Sequence, residues 1–329
     1  MLTKVNTMLK TAIVAMLLLI AGVSPALAQA PYPNKPIRWI VPYAPGGGAD
    51  AIARPIALKL GEALGQQIIY DNRGGGGGLI AAEAVARSAP DGYTLLVAAT
   101  NTHVFATLLN EKIAYDPVKD FAPITKFDST PNVLVANSNF PARNIQQLVA
   151  HAKANPGKIN WASSGNGTGG HLALVLFAQE TGINILHVPY KGAGPATMAI
   201  LAGESDLEFA NTGVVMPHIK SGKFRALGFA GMKRLAALPD VATFNESGYP
   251  GFDSSEFKGL MAPAGTPQAI IARLHDELVK IIRSPEATAR LEASGSIPVA
   301  NTPEQFAENL RLEVAKWGKI IRDNNIKPD

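Results

Sequence analysis

Short apolar runs alternate with longer amphipathic stretches along most of this chain. "IRWIVPY", "QQIIYDN", "YTLLVAA", "PNVLVAN", "KINWASS", "NILHVPY", "DLEFANT" and "FRALGFA" are rich in β-formers, and each predicts a strand. "NIQQLVAHAKANPG" spaces its apolar residues near 3.6 and stops at Pro156-Gly157, which predicts a helix. Strands alternating with helices imply parallel sheet covered on both faces, the α/β class. From "GTPQAIIARLHDEL" onward the pattern is almost wholly helical. Thr266-Pro267 and Thr302-Pro303 are expected there to supply a cap followed by proline at the first helical position.

The first residues change what must be folded. "MLTKVNTMLK" carries Lys4 and Lys10 and no acid, "TAIVAMLLLIAGV" is apolar, and Ala26–Ala28 reads "ALA". This is the tripartite pattern of a secretory signal peptide, with cleavage expected after Ala28 and residues 1–28 removed. The mature chain is then expected to work in the periplasm. With no cysteine in the sequence, disulfides, thiolate metal sites and a lipid anchor are excluded. About 300 residues remain, enough for two domains. A formal charge of +4, including both leader lysines, is too small for a nucleic-acid partner.

In open α/β sheets, ligands sit where strand ends lead into helix N-termini. Two glycine-rich loops occupy such places, "VPYAPGGGAD" at residues 41–50 and "SSGNGTGG" at residues 163–170. The first lacks the Lys-Ser/Thr of a phosphate loop. The second contains G-x-G-x-x-G at Gly165, Gly167 and Gly170, but no acid follows about twenty residues later to hold a ribose. Neither cofactor nor metal is expected: the six histidines show no close ligand spacing. Ser163 or Ser164 with His171 lacks a recognisable orienting acid, and G-x-S-x-G and H-E-x-x-H are absent. What remains is capture of an anion without chemistry. Free backbone N–H groups and the helix dipole favour a carboxylate at a helix N-terminus, by roughly 0.3–2 kcal/mol.

The order of "YPNKPIRWIVPYAPGGGADAIAR", "APDGYTLL", "YDPVKDFAPIT", "ANPGKINWASSGNGTGGHLA", "HVPYKGAGPA", "SGKFRALGFA", "LPDVATFNESGYPGF" and "APAGTP" resembles the Bug family, the periplasmic solute receptors of tripartite tricarboxylate transporters. The resemblance implies a type II periplasmic binding protein with two doubly wound lobes joined by a two-strand hinge. The expected lobes are residues 29–128 plus 250–329, and residues 129–249. The hinge is expected around "ITKFDSTPNVLV" and "RALGFA". A ligand is then gripped by a first-lobe loop of Tyr43, Ala44, Gly46, Gly47, Gly48 and Asp50. A second-lobe loop supplies Ser163, Ser164, Gly165, Asn166, Thr168 and His171. Thr100, Asn101, Thr102 and His103 face the variable end of the cleft, and Tyr190, Lys191 and Asn211 line the second lobe.

Asp50 is read as completing its own loop, with an ammonium contact as the alternative, and Lys191 as either an anion contact or a solvated lysine. Asn72 and Arg73 read as turn chemistry. Where many family members carry Trp before "GL.APAGTP", this chain has Phe257, a smaller ring expected to widen the cleft. The family often carries acids near the positions of Ala199 and Val175, and this chain does not. The implied function is capture of a di- or tricarboxylate, aromatic carboxylate or amino acid by a monomer that passes it to membrane permease subunits. A sensory receptor and a periplasmic hydrolase or isomerase are the alternatives.

Overall fold

The computed structural model describes residues 31–328 apart from 47 and 111. The expected leader and Gly47 lie outside the described residues. Among those described, no helix is long and apolar enough to cross a membrane.

The apolar runs fold as two mixed sheets within one compact unit, Lys35–Asp329. The first sheet holds β1 (Ile37–Val41), β2 (Ile68–Asn72), β3 (Thr94–Ala99), β4 (Phe121–Thr130), β10 (Glu256–Pro263) and β11 (Ile297–Pro298). Its order is β11-β4-β10-β3-β1-β2. The second holds β5 (Asn132–Asn137), β6 (Asn160–Ser163), β7 (Leu186–Pro189), β8 (Leu207–Asn211) and β9 (Phe224–Ala230), ordered β7-β6-β8-β5-β9. The two share one plan: β2-β1-β3 and β7-β6-β8 are parallel, and each triplet is followed by an antiparallel strand, β10 or β5.

The parallel sheet that the alternation implies is present in both triplets, and the antiparallel strands beside them have a topological cause. A parallel neighbour needs a crossover of a dozen or more residues. β5 instead enters directly from β4 in the other sheet with only Pro131 between them, and β10 follows the last strand of the second sheet. Each intruding strand therefore runs against its host. "ITKFDSTPNVLV" divides at Pro131 into a strand of each sheet, whereas "RALGFA" is β9, wholly within the second.

The helices that position the loops are α1 (Gly48–Leu64), α2 (Leu79–Ala86), α3 (Ala106–Leu109), α4 (Ile145–Ala154), α5 (Gly169–Thr181), α6 (Ala193–Ala202) and α7 (Thr212–Lys220). The C-terminal stretch forms α8 (Gln268–Ile282), α9 (Pro285–Ala293) and α10 (Pro303–Asp323). Thr302 caps α10 with a full capping box to Gln305, and Pro303 follows at the first turn. Thr266 does not cap α8; its hydroxyl donates to the Pro263 carbonyl at 2.8 Å, and Pro267 takes the cap position.

One apolar cluster behind the first sheet contains Phe105, Phe257, Phe306 and Trp317. A second, under the other sheet, contains Trp161, Phe177, Phe209, Phe244 and Phe252. Each such ring contributes about 1.5–3 kcal/mol by leaving water. Helix α5 joins both: Phe177 packs into the second cluster and Leu172 into the first. That shared helix holds the 163–168 loop against the first sheet.

Candidate functional site

The loop after β1 is braced by side chains. Asp50, buried in the first turn of α1, accepts from Arg54 at 3.1 and 2.9 Å and from the Gly46 amide at 3.1 Å. Asn72 on β2 donates to the Tyr43 carbonyl at 3.0 Å and accepts from Arg54 at 3.2 Å. Burial opposes charge on Asp50, but the bonds from Arg54, Gly46 and Asn72 outweigh it and hold the carboxyl below its ordinary value. Arg54 also lies over the Tyr70 ring at 4.2 Å. Asp50 is thus engaged by its own loop, and Asn72 belongs to the same brace. Arg73 pairs with Asp71 at the surface. Gly46 has φ +85°, so the turn needs a residue free of the β-carbon penalty. Ala44 is exposed, and Gly48 opens α1.

After β3 the chain makes a π-helical turn, Asn101–Phe105, before α3. Thr100 Oγ1 is buried and accepts from the Phe257 amide at 2.7 Å, which ties the turn to β10. Asn101 and Thr102 face the Tyr43 phenol, while Thr102 Oγ1 also donates to the Ala99 carbonyl at 3.1 Å. His103 goes elsewhere. It has no exposed surface and meets Phe121 edge-on at 4.8 Å. Burial lowers its imidazole to about 3 and keeps it neutral. In this conformation it packs the core, because the third residue of the turn faces inward.

The loop after β6 is braced mainly by backbone and glycine. Ser163 is buried, with Oγ 2.6 Å from His187 Nε2, and its carbonyl accepts from the Tyr190 amide at 2.9 Å. The Ser164 carbonyl accepts from the Gly192 amide at 3.1 Å. The Thr168 hydroxyl donates to the Gly165 carbonyl at 2.8 Å, and the Gly167 amide donates to His171 Nδ1 at 3.0 Å. His171 and His187 stack with centroids 4.0 Å apart. Asn166 is partly buried in the same turn. Tyr190 turns its hydroxyl to Ser205 at 3.2 Å, and Lys191 is exposed. Asn211 caps α7, accepting from the Gly213 amide at 3.2 Å.

Two features bring these loops together. A side chain at Gly167 would overlap Leu109 of α3, and one at Gly169 would overlap Glu256 Oε1 and crowd Phe105. Tyr43 lies in the field of the same Glu256, which, after burial, holds its phenol above the ordinary value. Asn132, registered opposite Asn211 across the β5–β8 pair, turns its amide toward Glu256 and donates to the Ser254 carbonyl at 2.8 Å. Tyr43, Gly169 and Asn132 therefore neighbour one carboxylate, and Asn101 and Thr102 reach only the Tyr43 phenol. A cavity of about 750 Å³ opens along Asn211 and Gly213 on one side and Ala51 and Ile52 on the other, with Thr130 and Lys258 on its wall.

Glu256, Asn132 and Arg54 were not among the expected site residues. The signal for Glu256 was present: "EFKGLMAP" sets Glu and Lys two apart on a strand that is otherwise apolar, so both point to one face. Phe257 points the other way. It is buried against Phe306 at 5.2 Å and below the Lys126 ammonium at 4.7 Å, so its size bears on the core and not on the cleft. Among the described residues no group of three or more His, Cys, Asp or Glu is placed to hold a metal.

Residues 52–326 match the model of the tripartite tricarboxylate transporter family receptor. The chain belongs to this family. The solved periplasmic binding protein BugD is 32% identical to it, with TM-score 0.73 over 91% of this chain and 100% of that one. Rpa4515 of R. palustris, solved with adipate, is 31% identical with TM-score 0.77 over the same shares, 91% and 100%. MatC of Rhodopseudomonas palustris, with bound malate, is 32% identical with TM-score 0.72 over 88% and 100%. The tripartite receptors are periplasmic solute-binding proteins and not enzymes.

Proposed function

We propose that this receptor captures a small organic acid between two lobes and delivers it to the permease subunits of a tripartite transporter. The lobes are residues 29–128 plus 250–329, and residues 129–249. The mature chain, freed of residues 1–28, acts in the periplasm as a monomer. Closure bends the chain where β4 passes into β5 and where β9 leads on to β10, bringing the two glycine loops onto one solute.

The observation that carries this reading is the convergence of the loops. Residues 43–50 lead into α1 and residues 163–168 into α5, and Tyr43 of the first and Gly169 just past the second both neighbour Glu256. Helix N-termini offer unpaired N–H groups to an acid's oxygens, and glycine lets the solute reach the backbone. Adipate in one similar receptor and malate in another support a carboxylate solute.

A thermal-shift screen of the mature protein against mono-, di-, tri- and aromatic carboxylates tests it. At least one should raise the melting temperature, by an amount that grows with concentration as linkage requires. If no carboxylate shifts the melt, or if a liganded structure finds the solute touching neither loop, the reading is wrong.

A further inference from the structure

Among the described residues, two acids around the candidate site are matched by cations. Asp50 is matched by Arg54 at 2.9 Å. Asp128, fully buried, is matched by Lys258 Nζ at 3.3 Å, and that ammonium also reaches Thr130 Oγ1 at 3.2 Å. Lys191 is exposed. Glu256 is left over: among the described residues no lysine, arginine or histidine lies within ion-pairing distance of it. Its surroundings are the Asn132 amide, the Tyr43 phenol and the first turn of α5 at Gly169. Burial raises its carboxyl above the ordinary value and the nearby Asp128 adds to the rise, while Lys258 and Asn132 pull against both.

A carboxylate in this position decides what can share the space. A plain diacid would bring a second negative charge beside Glu256, which is only partly exposed. An ammonium or N–H group would instead supply the counter-charge or donor that the protein leaves out. We infer that Glu256 sets specificity: the solute carries, besides the carboxylate held by the loop amides, a nitrogen donor that meets the Glu256 carboxylate. The role considered for Asp50 in the sequence thereby passes to a residue on β10, since Arg54 and the Gly46 amide already occupy Asp50. Discrimination of this kind is steep, because the wrong solute leaves a buried polar group unmet.

The inference rests on the carboxylate-receptor reading, and matched probes separate the two. Isothermal titration of the mature protein at neutral pH would compare L-glutamate with glutarate, L-aspartate with succinate, and 3-aminobenzoate with benzoate. In at least one pair the amino member should bind about tenfold or more tightly. Glu256→Gln should cut that ratio to roughly threefold or less, weakening the amino acid and strengthening the plain acid, to which the new amide can donate. Glu256→Asp should restore part of the preference, and a melting curve matching the parent shows that each variant is folded. If the plain acids bind as well or better, or if Glu256→Gln leaves the ratio unchanged, Glu256 does not select and the receptor reading stands. Preference for a diacid that strengthens on acidification also overturns it, pointing to a proton shared between two carboxyl groups. If no member of any pair binds, the selection by Glu256 falls, and the broader carboxylate screen decides the receptor reading separately.

Discussion

The two glycine loops solve the same geometric problem with different means. The loop after β1 is held by neighbours in sequence: Asp50 takes Arg54 four residues on and Gly46 four residues back, and Asn72 closes the brace. The loop after β6 is held by its surroundings. Gly167 and Gly169 leave room for Leu109 of α3 and Glu256 of β10, and Gly170 lies against the Phe209 carbonyl of β8. The first loop thus carries its shape locally, while the second is cut to fit what it meets. The buried acids of the two halves differ in the same sense. Asp50 is kept charged by its partners. Glu208, on β8, has Thr197 at 3.4 Å as its bonded partner, and burial pushes its carboxyl up to about 8.

The largest effect expected from this contrast is on stability against pH. A carboxyl raised in the folded state favours the protonated form, so Glu208 stabilises fully below its unfolded value of 4.5 and loses that contribution as pH rises through about 8. Urea unfolding of Glu208→Gln should show a gain on the order of a few kcal/mol at pH 8 relative to pH 4, with a flatter pH profile. An unchanged profile would mean that Glu208 is not the acid responsible.

Next come the glycines. Gly170→Ala places a methyl into the backbone carbonyl of Phe209, where no side chain can swing aside. It should cost about 2–3 kcal/mol in urea unfolding. At Gly46 nothing lies within 4 Å and only φ +85° opposes a side chain, so Gly46→Ala should cost about 1 kcal/mol. Equal losses would erase the distinction between a loop shaped by packing and one shaped by its own dihedral.

Asp50→Asn completes the set at about 1 kcal/mol near pH 7, because Arg54 keeps much of its surface in water. Its sign runs opposite to that of Glu208. A depressed carboxyl contributes above its unfolded value of 3.8 and loses that contribution as pH falls through the lower folded value. The stability difference between parent and variant should therefore stay constant above pH 3.8 and close as pH falls below it through the lower folded value.

Much of the fold was legible because period and punctuation are local. The alternation of strand and helix, the capping box at Thr302 and the strand–loop–helix frame of both glycine loops all follow from residues a few positions apart. Of the candidate site, Asp50 was readable as loop chemistry for that reason, whereas Asn72 reads as part of its own turn and instead braces the Tyr43 carbonyl 29 residues away. His103, Phe257 and Glu256 were not readable. Which face of a turn or strand looks to the core depends on where β10 inserts, and that strand arrives from the far end of the chain.

By itself the sequence determined the family, the α/β class, the two glycine loops and the absence of thiol chemistry, since each is written in short motifs or composition. Only the tertiary structure decided that the inserted strands run antiparallel and that His103 is sealed in a core. It also decided that one carboxylate, from residue 256, stands between loops more than a hundred residues apart. Burial and charge balance are properties of the whole packed chain, and no local pattern encodes which acid will be left without a partner.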